Sequence, residues 1–154
     1  MAKRTIAVPP PVWLLVAGGL QHALAGRRRP TTGSRVASAA VAVAAAGLAA
    51  TAVAACARAN TTISPEHPER SSRLLTHGPF RWTRNPIYVA MAGLLAAHAI
   101  LRRSWLALAP VAGFIAVIDR LQIPTEERAL RARFGRSYDR YLRTTPRWLR
   151  AACR

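Results

Sequence analysis

Acidic residues are scarce in this sequence. Six Asp and Glu residues stand against 23 Lys and Arg residues, which gives the 154-residue chain a formal net charge of +17. Cysteine is scarce as well: Cys56 lies inside an apolar run, and Cys153 lies one residue from the end. Cysteines so placed form neither a disulfide framework nor the ligand spacing of a zinc site. We therefore predict no metal site, and any cationic ligand would depend on a few carboxylates.

The rest of the composition excludes a disordered chain. Hydrophobic residues make up 51% of the sequence, which is too many for a disordered basic tail. Apolar runs alternate with short Arg-rich segments, a pattern typical of membrane proteins whose basic loops meet anionic headgroups. The 22-residue run over 36–57 carries no charge, and a soluble nucleic-acid-binding protein would have to bury it elsewhere. We therefore predict an integral membrane protein without a nucleic-acid partner.

The lengths of the apolar runs predict an all-α fold with about four transmembrane helices. The first run is short for a hydrocarbon core of about 30 Å. It can be tilted, interfacial, or a signal peptide cleaved after Ala23-Leu24-Ala25. We expect Gln21, His22 and His98 to form hydrogen bonds between helices. The fourth apolar helix can run on past Asp119 and Arg120, and Gly135 can kink the C-terminal helix or end its first half. The predicted apolar helices cover 12–25, 36–57, 86–101 and 105–118, the last two forming a hairpin, and an amphipathic, basic C-terminal helix covers 125–143.

The distribution of basic residues predicts the orientation. Four spans would place the N-terminus, the polar connector over 58–85 and the C-terminal tail on one side of the membrane. That side carries 17 basic residues and the other side carries six. The positive-inside rule therefore predicts a cytoplasmic membrane protein with the connector and tail in the cytosol. The three arginines at 27–29 oppose this orientation unless the first segment does not span.

A first cluster of candidate residues precedes the third apolar helix. Gly78-Pro79 marks a turn, and Asn85 before Pro86 is a favourable helix start because Asn caps free amides and Pro suits the first helical position. A helix N-terminus also presents N–H groups to an anion, and Arg84 adds a positive charge beside it. The cluster can bind a carboxylate, or it can be an interfacial helix start with a snorkelling arginine.

A second cluster follows Pro124. Glu126 and Glu127 can complement the helix dipole, and Glu127 can pair with Arg131 four residues on. They are also two of only six acids, so a site for a cationic ligand would need them. By three- and four-residue spacing, one helix face carries Glu126, Leu130, Phe134, Tyr138 and Tyr141.

Together the two clusters resemble the isoprenylcysteine carboxyl methyltransferase and phospholipid methyltransferase families over roughly residues 60–149. Asn85 stands where the eukaryotic enzymes tend to have His, and Ala90 stands where the pattern expects Gly. The matching pieces, in order, are Gly78-Pro79-Phe80-Arg81, Arg84-Asn85-Pro86-Ile87-Tyr88, Glu126-Glu127, Leu130, Phe134-Gly135, Tyr138, Tyr141 and Pro146-Arg147-Trp148.

The resemblance implies a single membrane methyltransferase domain over 1–154, with N-terminal membrane helices over 1–57 and a cofactor-binding part over 58–150. It implies S-adenosylmethionine as the cofactor and a lipophilic small molecule or lipidated acceptor, methylated on a carboxylate, amine or thiol. Arg120 would meet an acceptor carboxylate as a catalytic residue, or it snorkels and pairs with Asp119. The implied cofactor-binding residues are His77, Gly78, Arg84, Asn85, Pro86, Tyr88, Glu126, Glu127, Tyr138 and Tyr141.

The chemistry of that cofactor fits these residue types. The helix start at Arg84-Asn85-Pro86 can hold its carboxylate, and Glu126 or Glu127 can pair with its ammonium through a charge-assisted hydrogen bond. Two other classes stay open. An Arg-rich membrane reductase of the sterol-reductase type would use NADPH, and a non-enzymatic protein would bind anionic membrane lipids through its basic tail.

Overall fold

The computed structural model describes residues 8–26, 28–61 and 73–149, and these residues form helices without any strand. Cys153 therefore lies outside the described residues. A short 3₁₀ helix spans Gly78–Arg81, and a π-helical turn spans Ile118–Gln122. The α-helices are α1 (Pro10–Leu24), α2 (Thr32–Arg58), α3 (Pro86–Arg102), α4 (Leu108–Val117), α5 (Ile123–Phe134) and α6 (Arg136–Thr144).

The first four α-helices form an up-and-down bundle. Helices α1 and α3 run in one direction, while α2 and α4 run in the other. Helix α3 packs against α2 on one side and against α1 and α4 on the other. The apolar core between α1, α3 and α4 includes Ala17, Leu95 and Phe114. We call the end where α1 begins, α2 ends and α3 begins the cavity end, and the opposite end the turn end.

Helices α2 and α3 approach closely because small side chains face each other. A Cβ atom added at Gly93 would lie 3.0 Å from the Cβ of Ala45, so glycine leaves the room that the contact needs. Nearer the turn end, the Ser38 hydroxyl donates to the carbonyl of Ala97 at 2.8 Å. The alanine-rich run thus packs through small residues, as its composition predicts.

A buried polar contact ties α1 to the hairpin of α3 and α4. The side-chain amide of Gln21, which is 0% exposed, donates to the carbonyls of Leu95 at 2.9 Å and Ala107 at 2.8 Å. Its oxygen lies 3.1 Å from Nδ1 of His98. The prediction of interhelical bonding is confirmed for Gln21 and His98, whereas His22 is exposed. Helix α1 is therefore an integral part of the bundle.

Local sequence signals set most helix ends. Thr31 and Ser34 form a reciprocal capping box at the start of α2. Pro86 occupies the first turn of α3, and Arg103 in a left-handed conformation (φ 51°) ends it. Gly135 (φ 50°) separates α5 from α6, because glycine adopts positive φ at little cost. Of the two effects predicted for Gly135 in the C-terminal helix over 125–143, a kink or an end of the first half, the structure shows the end, so the segment forms two helices.

The fourth helix also differs from the prediction. It begins at Leu108 rather than at residue 105, and it does not stop before Pro124. The π-turn connects it to α5, so that helical backbone runs continuously over Leu108–Phe134. A proline inside a helix lacks an N–H and clashes with the carbonyl four residues earlier. The wider turn just before Pro124 accommodates both effects, as π-bulges do.

Within residues 8–26, 28–61 and 73–149, two helices are long and apolar enough to cross a membrane, namely Thr32–Arg58 and Leu108–Phe134. Helix α3 is apolar but shorter, and α1 has 15 residues. The all-helical prediction is confirmed, whereas the predicted number of four spanning helices is not.

Candidate active site

A cavity of ≈ 310 Å³ lies at the cavity end of the bundle. One wall is polar and comes from the start of α3 and from α5 and α6. The other wall is apolar and comes from the start of α1, the end of α2 and the first turns of α3. A cavity of this volume lies at the lower end of the range for small-molecule sites. The predicted site residues that line it are Arg84, Asn85, Pro86, Tyr88, Glu126, Glu127, Tyr138 and Tyr141.

The segment Pro146–Trp148, which we call the strap, positions the start of α3. The amide of Arg84 donates to the carbonyl of Pro146 at 2.9 Å. The carbonyl of Arg147 accepts hydrogen bonds from the Thr83 hydroxyl at 2.8 Å and from the Asn85 side-chain amide at 2.9 Å. The prediction that the Asn85 side chain caps α3 is wrong: its amide nitrogen donates to the strap, and its oxygen accepts no hydrogen bond from the first turn of the helix. The bond from Val89 N to the Asn85 carbonyl still begins the helix.

Glu126 is held by neutral donors. Its Oε1 accepts a hydrogen bond from the Tyr88 hydroxyl at 2.5 Å and one from the Gln122 side-chain amide at 2.7 Å. Among the described residues, no lysine or arginine forms an ion pair with it. Its position therefore brings an uncompensated carboxylate to the cavity wall.

Glu127 has the opposite environment. Arg147 binds it with two hydrogen bonds, Nε to Oε1 at 3.1 Å and Nη2 to Oε2 at 2.7 Å. Nη2 of Arg84 lies 3.2 Å from the same Oε1. The pairing of Glu127 with Arg131 that the spacing suggested does not form, because Arg131 pairs with Asp139 at 2.8 Å. The charge of Glu127 is therefore shared between two arginines that come from distant parts of the sequence.

Two tyrosines from α6 complete the polar wall. The rings of Tyr138 and Tyr141 lie 6.2 Å apart and are tilted by 59°, and the Tyr141 hydroxyl donates to the carbonyl of Phe80 at 2.6 Å. Burial, reinforced by the charge of Glu127, raises the pKa of Tyr138 to about 12. Burial also raises the pKa of Tyr141. Both side chains are therefore neutral hydrogen-bonding groups at neutral pH.

Three predicted site residues lie elsewhere. His77 and Gly78 line a second, neighbouring cavity. Arg120 is exposed and does not line the main cavity. Asp119, its suggested partner, accepts hydrogen bonds from Arg147 at 3.2 Å and from the Trp148 indole at 2.8 Å. The structure therefore does not bring His77, Gly78 or Arg120 to the cavity that the glutamates line.

Sequence reasoning missed several residues that build the site. Arg147 was part of a recognised motif but had no assigned role, and nothing in its spacing connects it to Glu127 twenty positions away. Thr83 gave no signal. Gln122 did give one, since it precedes Glu126 by four residues and such pairs meet on a helix.

Comparison with known protein families identifies a match over the part of the chain that contains most of this site. A family model described as phospholipid methyltransferase matches residues 34–137, which is more than half of the chain. The matched region includes the start of α3 and both glutamates and ends one residue before Tyr138. No curated protein matches the chain, and no solved structure matches it. The family and the two long apolar helices indicate a membrane methyltransferase: the chain belongs to the phospholipid methyltransferase family.

Proposed function

We propose that this protein transfers a methyl group from S-adenosylmethionine to a lipophilic acceptor in the membrane. The observation that carries the proposal is that one cavity is lined both by an arginine with an unsatisfied donor and by a carboxyl group that has no basic partner among the described residues. Arg84 supplies the first and Glu126 the second. S-adenosylmethionine carries a carboxylate, an ammonium and a sulfonium, so its negative group complements the arginine and a positive group complements the glutamate.

Arg84 fits the carboxylate of the cofactor. Its side chain is 12% exposed, and its Nε atom is buried without a hydrogen-bond partner among the described residues. Buried polar atoms are usually satisfied, so an orphaned donor in a cavity wall calls for an explanation. A carboxylate accepting from this Nε would satisfy it, and Asn85 and Pro86 place the first amides of α3 beside it.

Glu126 fits a cationic group of the cofactor. Tyr88 and Gln122 orient its carboxyl group, and a cationic ligand would supply the counter-charge that its described neighbours do not. Glu127 already binds two arginines, so we assign it to positioning Arg84 and the strap. Tyr138 and Tyr141 offer aromatic surface to a nucleoside. The proposal does not extend to His77, Gly78 or Arg120.

When bound, S-adenosylmethionine supplies a methyl group activated by its sulfonium. The contribution of the protein is then to hold the two reactants in line and to exclude water, and orientation alone can supply a large part of the rate enhancement. Apolar side chains such as Phe80, Met91 and Leu130 line the rest of the cavity. They keep water away from the groups that react.

The acceptor is proposed to reach the cavity through its apolar wall. Pro10 and Pro11 at the start of α1 and Cys56 at the end of α2 contribute to this wall. The family description favours a phospholipid among the lipophilic carboxylates, amines and thiols considered. The start of α1, the end of α2 and helices α5 and α6 meet at one end, so the described basic residues of these elements share a side. We propose that this side faces the cytosol across the cytoplasmic membrane.

Calorimetric titration of the detergent-purified protein tests the proposal. We expect wild type to bind S-adenosylmethionine and Glu126→Gln to bind it at least about tenfold more weakly, because one charge-assisted hydrogen bond is lost. Asp139→Asn is the matched control, since it removes an acid from the exposed pair with Arg131 and should leave affinity unchanged. The protein should then transfer radiolabelled methyl groups to a component of a membrane lipid extract.

Absence of wild-type binding to S-adenosylmethionine in several detergents would end the proposal. Binding of NADPH in its place would show a reductase. Equal weakening by Glu126→Gln and Asp139→Asn would mean that the cofactor responds to overall charge rather than to the cavity carboxylate.

A further inference from the structure

A second cavity of ≈ 590 Å³ runs beside the last turns of α2. The 3₁₀ helix Gly78–Arg81 packs against this part of α2, and Trp82 contributes to the cavity wall. Arg73, Leu74 and Leu75 line both cavities and so form the partition between them. The second cavity is therefore next to the proposed methyl-transfer site but distinct from it.

Among the described residues that line the second cavity, every ionisable side chain is basic. Arg58, Arg73 and His77 contribute to its lining. None of the acids in the described part of the chain lies there, because all of them belong to the stretch from Asp119 to Asp139. Within the part of the chain that the structure describes, two glutamates line the main cavity and no acid lines the second one. Such a cavity attracts an anion.

The carbonyl groups at the end of α2 do not cancel this preference. A helix C-terminus carries partial negative charge on its unsatisfied carbonyls. Here the carbonyls of Ala55, Cys56 and Ala57 accept backbone hydrogen bonds from residues 59, 61 and 60 at 3.1–3.2 Å. The arginine side chains therefore dominate the local potential.

The cavity is amphipathic along its length. Thr51 lies two turns before Arg58 on α2, or about 10 Å along the axis, and both residues line the cavity. Leu75 and Pro79 are buried in its floor. Trp82 is 58% exposed, as tryptophans at a membrane interface commonly are. A ligand that fits has a charged head at Arg58 and an apolar portion toward Thr51.

We propose that this cavity binds a phosphate group, carried by a membrane amphiphile that lies along the last turns of α2. Arg58, Arg73 and His77 would donate to the phosphate oxygens, since arginine recognises phosphate through its fork of donors. Binding here requires neither S-adenosylmethionine nor methyl transfer, so its test is independent of the proposed function.

Fluorescence quenching tests this site directly. The protein in neutral detergent is titrated with phosphatidic acid brominated on its acyl chains, and tryptophan fluorescence is measured. The part of the quenching that is lost in Trp82→Phe reports ligand bound at this site. Brominated diacylglycerol, which lacks phosphate, should quench Trp82 at concentrations at least about tenfold higher. Inorganic phosphate alone, followed by thermal shift, distinguishes a free anion from a lipid headgroup.

Paired variants locate the phosphate. Arg58→Gln/His77→Gln should weaken phosphatidic acid binding at least about tenfold, and Arg58→Lys, which keeps the charge but loses the fork of donors, should weaken it less than Arg58→Gln. The control Arg35→Gln/His22→Gln removes the same residue types from exposed positions toward the turn end and should leave binding unchanged. Equal quenching by diacylglycerol, or equal weakening by the two double variants, would overturn the proposal. A thermal shift with inorganic phosphate that only Arg58→Gln/His77→Gln abolishes would support the anion site and assign it to free phosphate.

Discussion

Glu126 and Glu127 are neighbours in sequence but have different partners. A tyrosine and a glutamine hold Glu126, whereas two arginines hold Glu127. Successive helical positions point about 100° apart. Glu127 therefore turns toward Arg84 and the strap, while Glu126 points toward Tyr88. One acid is thus available to a ligand, and the other maintains the structure around it.

The structural role of Glu127 predicts a loss of stability. Its carboxylate is 20% exposed and its partners Arg84 and Arg147 are 12% and 30% exposed. Glu127→Gln would leave the poorly solvated Arg84 guanidinium without its counter-charge and Arg147 with Asp119 as its remaining acidic partner. We expect a cost of about 2 kcal/mol, or a decrease in Tm of roughly 4–8 °C, measured by circular dichroism in detergent.

The control for Glu127 is Asp139→Asn. It breaks an ion pair whose side chains are 59% and 41% exposed, and such surface pairs contribute about 0–1 kcal/mol. Equal decreases in Tm for the two variants would show that Glu127 is no more important to the fold than a surface acid.

At the scale of elements, the apolar runs predicted the helices of the bundle and their order. The hairpin of α3 and α4 and the start at Pro86 also followed from local signals. The continuation of α4 through Pro124 did not, because a π-turn absorbs the proline and this depends on the packing of Ile118 and Ile123, both 0% exposed. The strap was equally inaccessible to prediction. Its bonds to Thr83, Asn85 and Glu127 join positions far apart in sequence, which helical periodicity cannot report.

The contact between α2 and α3 predicts sensitivity at one glycine. Gly93→Val would place side-chain atoms against Ala45, where even a Cβ has only 3.0 Å. We expect destabilisation of about 1–3 kcal/mol from overpacking, observed as a lower Tm and faster cleavage by trypsin. Gly47→Val is the control, because a Cβ at Gly47 meets no atom within 4 Å and carries the same change in helix propensity. Similar losses for both variants would indicate that propensity, and not the close contact, controls stability.

At the scale of the whole molecule, the bundle separates its two ends chemically. The cavity end combines the start of α3, the glutamates and the strap, while the turn end contains the neutral hydrogen-bond cluster around Gln21. The main cavity and the second cavity both lie at the cavity end, and Arg73 lines both of them. A membrane enzyme of this design can bind a soluble cofactor and an amphiphile from the same side of the bilayer.

The proposed orientation predicts opposite accessibility for the two ends. In a background of Cys56→Ala and Cys153→Ser, Trp105→Cys places a thiol at the turn end, where Trp105 is 85% exposed. Arg140→Cys places one on the exposed side of α6 at the cavity end. In right-side-out membrane vesicles, an impermeant maleimide should label position 105 directly and position 140 only after permeabilisation, because the side with 17 basic residues remains in the cytosol. Restoring the buried Cys56 gives a control that stays unlabelled in both conditions. The reverse pattern would invert the orientation and expose the cofactor site to the cell exterior, where S-adenosylmethionine made in the cytosol could not reach it.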